Sequence, residues 1–234
     1  RSRGLGDVYK RQILGPVMVG PSSSHTAGAV RIGWMTQKLL GEQPVEAKIL
    51  MYGSFAATGK GHGTDRGLVA GLLGMRPDDE RIPDSFEIAR KMGLSYSFGI
   101  ANLTSAHPNS VVLKVKGKSG RTLEVQACSL GGGRIMINRL DGLDVNCSCE
   151  IPTLIVHNLD QPGHVAEVTS MLAHKSVNIA NMSLYRDKRG GSAVMVVEMD
   201  QPLPKESLEW LEHLEGIVKV TYINVTEGEE DDVL

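Results

Sequence analysis

Three hydroxyls, an imidazole and a fourth hydroxyl stand in a row at Ser22-Ser23-Ser24-His25-Thr26, inside the run Gly-Pro-Val-Met-Val-Gly-Pro-Ser-Ser-Ser-His-Thr-Ala-Gly from Gly15 to Gly28. An imidazole, with an ordinary pKa of about 6.5, takes or gives a proton close to neutral pH. Hydroxyls at the point where a loop enters a helix add donors to the free backbone N–H groups there, and such a junction attracts a carboxylate. Acid–base chemistry on a small carboxylate is one reading. A serine-rich helix cap carrying an exposed histidine is the other, and spacing alone does not separate them. A second cluster follows: Tyr52-Gly53-Ser54-Phe55, then Gly61-His62-Gly63-Thr64-Asp65. Glycines on both sides of His62 keep that loop thin enough for a ligand to approach. Asp65 can orient an imidazole or cap the next helix, and capping is the commoner task. His107, before Pro108, lies near the site or simply in a loop, while His157, His164, His174 and His213 fall in the second half.

These residues need elements to hold them. Apolar periodicity predicts a helix from Ala27 to Leu40, with Ser22 to Ser24 available as caps and Gly41 as its stop. A strand is expected over 45–55, ending in Gly53-Ser54, then a helix from Arg66 to Leu73 and a third from Asp84 to Met92, closed by Gly93. Strands are expected over 110–116, 121–129 and 134–140, separated by the glycine-rich turns 117–120 and 131–133. The pattern becomes more regular after Pro152. Strand 154–156, helix 165–174, strands 177–184 and 193–198, helix 204–214 and strand 218–225 give the order βαββαβ, the split βαβ or ferredoxin-like arrangement. The fold class is therefore α+β, with an α/β first domain over 13–148, a second over 152–225 and the border near residue 150.

Composition sets the outer limits. The 234 residues carry 25 Lys and Arg against 27 Asp and Glu, a net charge of −2, with 41% hydrophobic residues. Near-neutral balance leaves no electrostatic footprint for nucleic acid, and the hydrophobic content argues against global disorder. Three cysteines, Cys128, Cys147 and Cys149, are too few for a disulfide scaffold or a four-thiolate metal site. A protein of the cytoplasm, without a membrane span or signal peptide, is expected. Residues 1–12 read as a non-native extension resembling translated sequencing-adapter read-through, and 226–234 as a solvated acidic tail.

The run L-I-V-H-N-L-D-Q-P-G-H-V-A-E-V-T-S-M-L-A, continued by V-N-I-A-N-M-S-L, resembles an ACT domain from Pro152 to Val225. Asp160 and Pro162 shape a tight turn, and Gly163 lets a ligand approach the free N–H groups at the next helix start. Asn181 is placed to hold an amine or carboxylate. A helix start that needs only a turn, with Asn181 as a cap, explains the bare pattern equally well. The resemblance implies amino-acid binding at Asp160, Gly163 and Asn181, and self-association through this domain.

The whole chain from Ile13 to Val225 resembles the beta subunit of bacterial iron–sulfur-dependent L-serine dehydratase (L-serine ammonia-lyase). The carrying residues are G-P-V-M-V-G-P-S-S-S-H-T-A-G, Y-G-S-F-A, G-K-G-H-G-T-D, D-D-E-R-I-P-D-S and H-P-N. Tyr9 to Gln12 and Gly59 depart from the family pattern, which bears on the N-terminal boundary rather than on the motifs. The first domain also resembles the allosteric substrate-binding domain of some phosphoglycerate dehydrogenases, but no G-x-G-x-x-G follows a strand here. The resemblance implies elimination of water from L-serine to aminoacrylate, which hydrolyses to pyruvate and ammonia. A 4Fe-4S cluster would act as Lewis acid on the leaving hydroxyl. His25 is the first candidate for the base at the α-carbon, with His62 as runner-up or partner. Ser22, Ser23, Ser24, Thr26, Ser54, Gly63 and Thr64 are the candidate substrate-binding residues. Three cysteines, two of them in the expected linker, do not make a cluster site, so the resemblance puts the cluster on a separate alpha subunit and assigns this chain no metal ligand. The competing expectation is a purely regulatory amino-acid-binding subunit.

Overall fold

A computed structural model of the chain describes residues 22–59 and 61–224. The expected extension 1–12, the acidic tail and the Gly15–Pro21 part of the first motif lie outside the described residues. The chain forms two compact units, 1–136 and 137–234. Both mix helices with sheets, in agreement with the expected α+β class.

In the first unit a π-helical turn, Ser23–Ala27, leads into α1 (Gly28–Leu40). Ser22 is its cap: the side chain accepts the His25 N–H at 3.2 Å. Gly41 ends α1 in the left-handed conformation, with its N–H on the Gln37 and Lys38 carbonyls. Strand β1 (Pro44–Met51) stops earlier than the sequence suggests. Gly53-Ser54-Phe55-Ala56-Ala57-Thr58, expected to close that strand, is instead a short helix, α2 (Gly53–Thr58). α3 (Thr64–Leu72) and α4 (Ser85–Met92) follow, then β2 (Ser95–Ile100), β3 (Ser110–Gly117) and β4 (Thr122–Gly131). β2 was not expected from the sequence. The strand order is β2-β1-β3-β4, with β1 and β2 parallel and the other pairings antiparallel.

α1 and α3 pack with their backbones almost touching. A Cβ at Gly71 would lie 2.0 Å from the Val30 carbonyl oxygen, and one at Gly33 would lie 2.3 Å from that of Leu68. Glycine at both positions lets the helices close over Val30, Ile32, Leu68 and Leu72, all buried. That packing fixes the His25 turn at the head of α1 beside the His62 loop at the head of α3. Apolar burial at about 25 cal/mol per Å² is the force that holds the pair together.

The division between the units falls within β5 (Arg134–Leu140), which pairs with β6 (Leu143–Cys147) as an antiparallel hairpin. Cys147 ends that strand rather than lying in a linker. Beyond it run β7 (Thr153–Leu159), α5 (His164–His174), β8 (Ile179–Arg186), β9 (Ser192–Met199), α6 (Lys205–Glu212) and β10 (Ile217–Ile223). The order βαββαβ is as expected, and the sheet runs β10-β7-β9-β8. Its core joins Leu154 and Val156 of β7 to Met195 and Val197 of β9, Val168 and Leu172 of α5 and Leu211 of α6. No helix among the described residues is long and apolar enough to cross a membrane.

Candidate functional site

The C-terminal end of β1 sets the geometry. Met51 lies beside Ile100 of β2 and Val111 of β3. The chain then turns. The Tyr52 N–H donates to the Ser110 carbonyl at 2.9 Å, and the Ser54 N–H to the Pro108 carbonyl at 2.8 Å. Gly53 between them has a φ of 57°, and a Cβ there would stand 2.5 Å from the Pro108 oxygen. Only glycine meets both demands without a shift of backbone. The turn delivers Ser54 to the imidazole at the head of α1.

His25 is ringed by hydroxyls. Its Nε2 lies 2.9 Å from Ser54 Oγ. Its Nδ1 lies 3.1 Å from Ser24 Oγ and 3.4 Å from Ser22 Oγ. Hydroxyls turn freely between donor and acceptor, so this set accommodates either neutral tautomer and the cation. The buried Phe55 ring stands 5.6 Å from the His25 ring, and the His62 ring 5.2 Å away. Burial comes first and the nearby His62 charge second in holding the His25 pKa below its ordinary value. Both effects favour the neutral ring, the form a base requires.

The remaining candidates divide by what they touch. Thr26 is buried, and its Oγ1 donates to the His62 carbonyl at 2.8 Å, tying the His62 loop to the His25 turn. Ser23 offers its carbonyl to the Gly28 N–H. Gly63 is the left-handed residue that opens α3, and its carbonyl accepts the Gly67 N–H at 2.8 Å. Thr64 is fully buried, and its Oγ1 has no hydrogen-bond partner. Asp65 accepts the Arg66 N–H at 2.8 Å at the start of α3, a helix-end role rather than a bond to an imidazole. His107 braces the adjoining loop, its Nδ1 accepting the Asn109 N–H at 3.1 Å.

Three contributors were not among the candidate site residues, although Phe55 and Pro108 stand in the motifs Y-G-S-F-A and H-P-N. They are the Phe55 ring, the Pro108 carbonyl and Ser129. The Ser129 Oγ is buried without a partner, against Gly28, where a Cβ would come within 2.0 Å of it. Each acts through a contact that only the folded chain creates.

The ACT-like loop is built differently. Asp160 Oδ2 accepts from the Gly190 N–H at 2.9 Å and from Arg186 Nη1 at 3.0 Å. The Gly190 bond leads, with Arg186 in support, in holding that carboxyl below the usual carboxylate range. Asn181 is exposed on the edge strand β8, and its Nδ2 donates to Glu198 Oε2 at 3.0 Å. Gly163 has a φ of 111° at the head of α5, and a Cβ there would meet nothing within 4 Å.

The three cysteines are buried. Burial raises the Cys128 thiol pKa, away from the thiolate an iron–sulfur cluster needs. Cys147 and Cys149, both buried, have their sulfurs 2.9 Å apart. Among the described residues no group of three or more His, Cys, Asp and Glu is placed to hold a metal ion.

Fold and site together define a two-unit chain that joins a hydroxyl-lined imidazole to a βαββαβ domain. The family described as serine dehydratase beta chain matches residues 14–94, and the ACT domain matches residues 152–214. The probable L-serine dehydratase beta chain of Bacillus subtilis (strain 168) is 40% identical over 211 residues, 90% of this chain and 96% of its own. The L-serine dehydratase beta chain of Peptoniphilus asaccharolyticus is 36% identical over 222 residues, 94% of this chain and all of its own. A D-3-phosphoglycerate dehydrogenase of Bacillus subtilis is 25% identical over 199 residues, covering 84% of this chain but 37% of that enzyme. The chain belongs to the L-serine dehydratase beta chain family, and its C-terminal region is an ACT domain.

Proposed function

We propose that the chain supplies the proton-handling half of a cytoplasmic L-serine dehydratase, and that a separate alpha subunit holds the 4Fe-4S cluster. One observation carries this reading: an imidazole at the head of α1 held by hydroxyls on both ring nitrogens, with burial lowering its pKa. His25 takes the proton from the α-carbon of L-serine. Loss of the β-hydroxyl then leaves aminoacrylate, which tautomerises and hydrolyses to pyruvate and ammonia. For this step one ring nitrogen must exchange its hydroxyl for substrate. The Nδ1 side is the looser, with contacts of 3.1 and 3.4 Å against 2.9 Å at Nε2. Ser22 and Ser24, freed by that exchange, then face the substrate carboxylate.

Ser54 keeps the ring oriented from Nε2. Thr26, Gly63 and Thr64 act in the same reading by holding His62 against His25, and Ser23 by closing the turn. The ACT domain, over 152–225, is the proposed place of self-association and of amino-acid sensing. Its polar side chains Asp160 and Asn181 are already engaged, so a ligand there depends on the backbone at Gly163. That favours the catalytic reading of this chain over the purely regulatory one.

The test is assembly with the cognate alpha subunit without oxygen, followed by measurement of pyruvate formed from L-serine. Turnover is expected only when both chains are present, and is expected to collapse for His25→Ala in an assembled, cluster-loaded enzyme. Turnover by the alpha subunit alone at the full rate would overturn the proposal.

A further inference from the structure

Among the described residues, strand β2 is an edge strand with none of the usual protection. Its sequence, Ser-Tyr-Ser-Phe-Gly-Ile, contains no charge and no proline, and it lies at the end of its sheet, paired on one side only, with β1. Unprotected edges invite another chain, and folded proteins usually blunt them with charge, proline or a bulge. Tyr96, Phe98 and Ile100 alternate along one face. Near Tyr96 that face is covered by Phe86 of α4, with ring centroids 5.5 Å apart for Phe86–Tyr96 and 6.2 Å for Phe86–Phe98. Cover then runs out: Phe98 is 39% exposed and Ile100 is 82% exposed.

The place where it runs out bears on the candidate site. β2 runs parallel to β1, so Ile100 stands beside Met51, at the end that delivers Tyr52-Gly53-Ser54 to His25. Ala101 donates its N–H to the Met51 carbonyl at 2.8 Å, and the loop from there reaches Pro108, whose carbonyl holds the Ser54 N–H. The bare apolar edge and the imidazole cluster are thus joined by one short run of chain. A subunit that brings a ligand set to His25 comes close to the Ser54 turn, which adjoins the end of β2 through Met51 and Ala101.

We infer that the C-terminal part of β2, with Phe98 and Ile100 as its apolar anchors, is the docking surface for the cluster-bearing alpha subunit. The inference rests on the function proposed above and names the surface that would join the two chains. A segment of the alpha subunit covers Ile100 and pairs with the open backbone of β2. Loss of a buried anchor at the centre of an interface costs a large share of affinity.

The experiment measures binding of the full chain to its alpha subunit for wild type, Phe98→Asp, Ile100→Asp and the conservative Ile100→Val. The state of association of this chain alone and its melting temperature are recorded beside it. The aspartate variants are expected to weaken alpha-subunit binding by about tenfold or more, with melting unchanged for Ile100→Asp and lowered for Phe98→Asp, which also loses its ring contacts with Phe86 and Tyr96, and Ile100→Val to bind like wild type. Unchanged affinity in both aspartate variants overturns the inference. So does loss of self-association with alpha-subunit binding intact, which would give the edge to a second copy of this chain. In either case turnover that still depends on His25 leaves the proposed function standing. Failure of the wild-type chain to bind the alpha subunit at all would overturn both.

Discussion

The polar candidates of the two halves are held in different ways. Around His25 they are held but not used up: the ring has a hydroxyl on each nitrogen, and the Thr64 and Ser129 hydroxyls nearby in the fold have no partner. Around Gly163 the two polar candidates are engaged, Asp160 with Gly190 and Arg186 and Asn181 with Glu198, while the buried His164 Nε2, Asn158 Oδ1 and Ser207 Oγ of that unit have no partner. Spare hydrogen-bonding capacity in a partly buried place is a stored cost that a ligand can offset. Engaged groups on a surface have little to offer one. The hydroxyls gathered on His25, against the engaged Asp160 and Asn181, support the proposal that chemistry falls to the first unit.

The contrast can be strained at several points. The largest effect is expected where the backbones of α1 and α3 meet. Gly71→Val would push a side chain into the Val30 carbonyl and destabilise the first unit by about 1–3 kcal/mol or more, read as a lowered melting temperature. A melting temperature equal to wild type would mean that the helices part without cost, and that their packing does not fix the two histidines. At the site itself, Ser54→Ala removes one hydrogen bond worth roughly 1 kcal/mol. A drop in kcat of several-fold with little change in KM is expected, and kinetics as in wild type would remove Ser54 from the account.

The pH dependence tests the electrostatics. Because the folded His25 pKa lies below its ordinary value, the ring stays neutral until the pH has fallen to that lower value, and kcat should fall as pH drops through it. His62→Gln removes one of the two causes, so the acid limb should move to higher pH; a limb that stays in place would rule out coupling between the rings. Stability carries the same sign. The unfolded chain binds the His25 proton first, so the folded state loses stability as pH falls from about 6.5 toward the lowered pKa. The smallest effect is expected in the ACT domain. Asp160→Asn weakens exposed contacts to Gly190 and Arg186, giving a slight melting shift and unchanged turnover of the assembled enzyme without added effector. A large loss of turnover would place chemistry where the structure shows only scaffold.

Much of this was legible in the sequence, and what was not has physical reasons. The βαββαβ order could be read because its strands bury one face and its helices one stripe, so periodicity marks them. β2 escaped because both faces of its short alternating run are largely open to solvent and its apolar residues cover little. α2 was mistaken for the end of a strand. Gly-Ser-Phe-Ala-Ala-Thr has no helical stripe, and the turn at Gly53 is set by the Pro108 carbonyl, a partner far along the chain. His25 and His62 stood out as types in glycine- and serine-rich settings. That Ser54, 29 positions from His25, would meet its Nε2 depends on where β1 stops. Phe55 and Pro108 stood in quoted motifs, but that one gives a ring to His25 and the other a carbonyl to Ser54 depends on the folded chain.

The most direct test sets the two regions side by side in one assembled enzyme. Pyruvate formation from L-serine is measured for His25→Ala and for Asn181→Ala, each with its cluster content and melting temperature verified. General-base catalysis accounts for about 10²–10⁴-fold in rate. The account predicts a loss of that order for His25→Ala and turnover close to wild type for Asn181→Ala. Equal rates in the two variants, or a greater loss at Asn181, would contradict it.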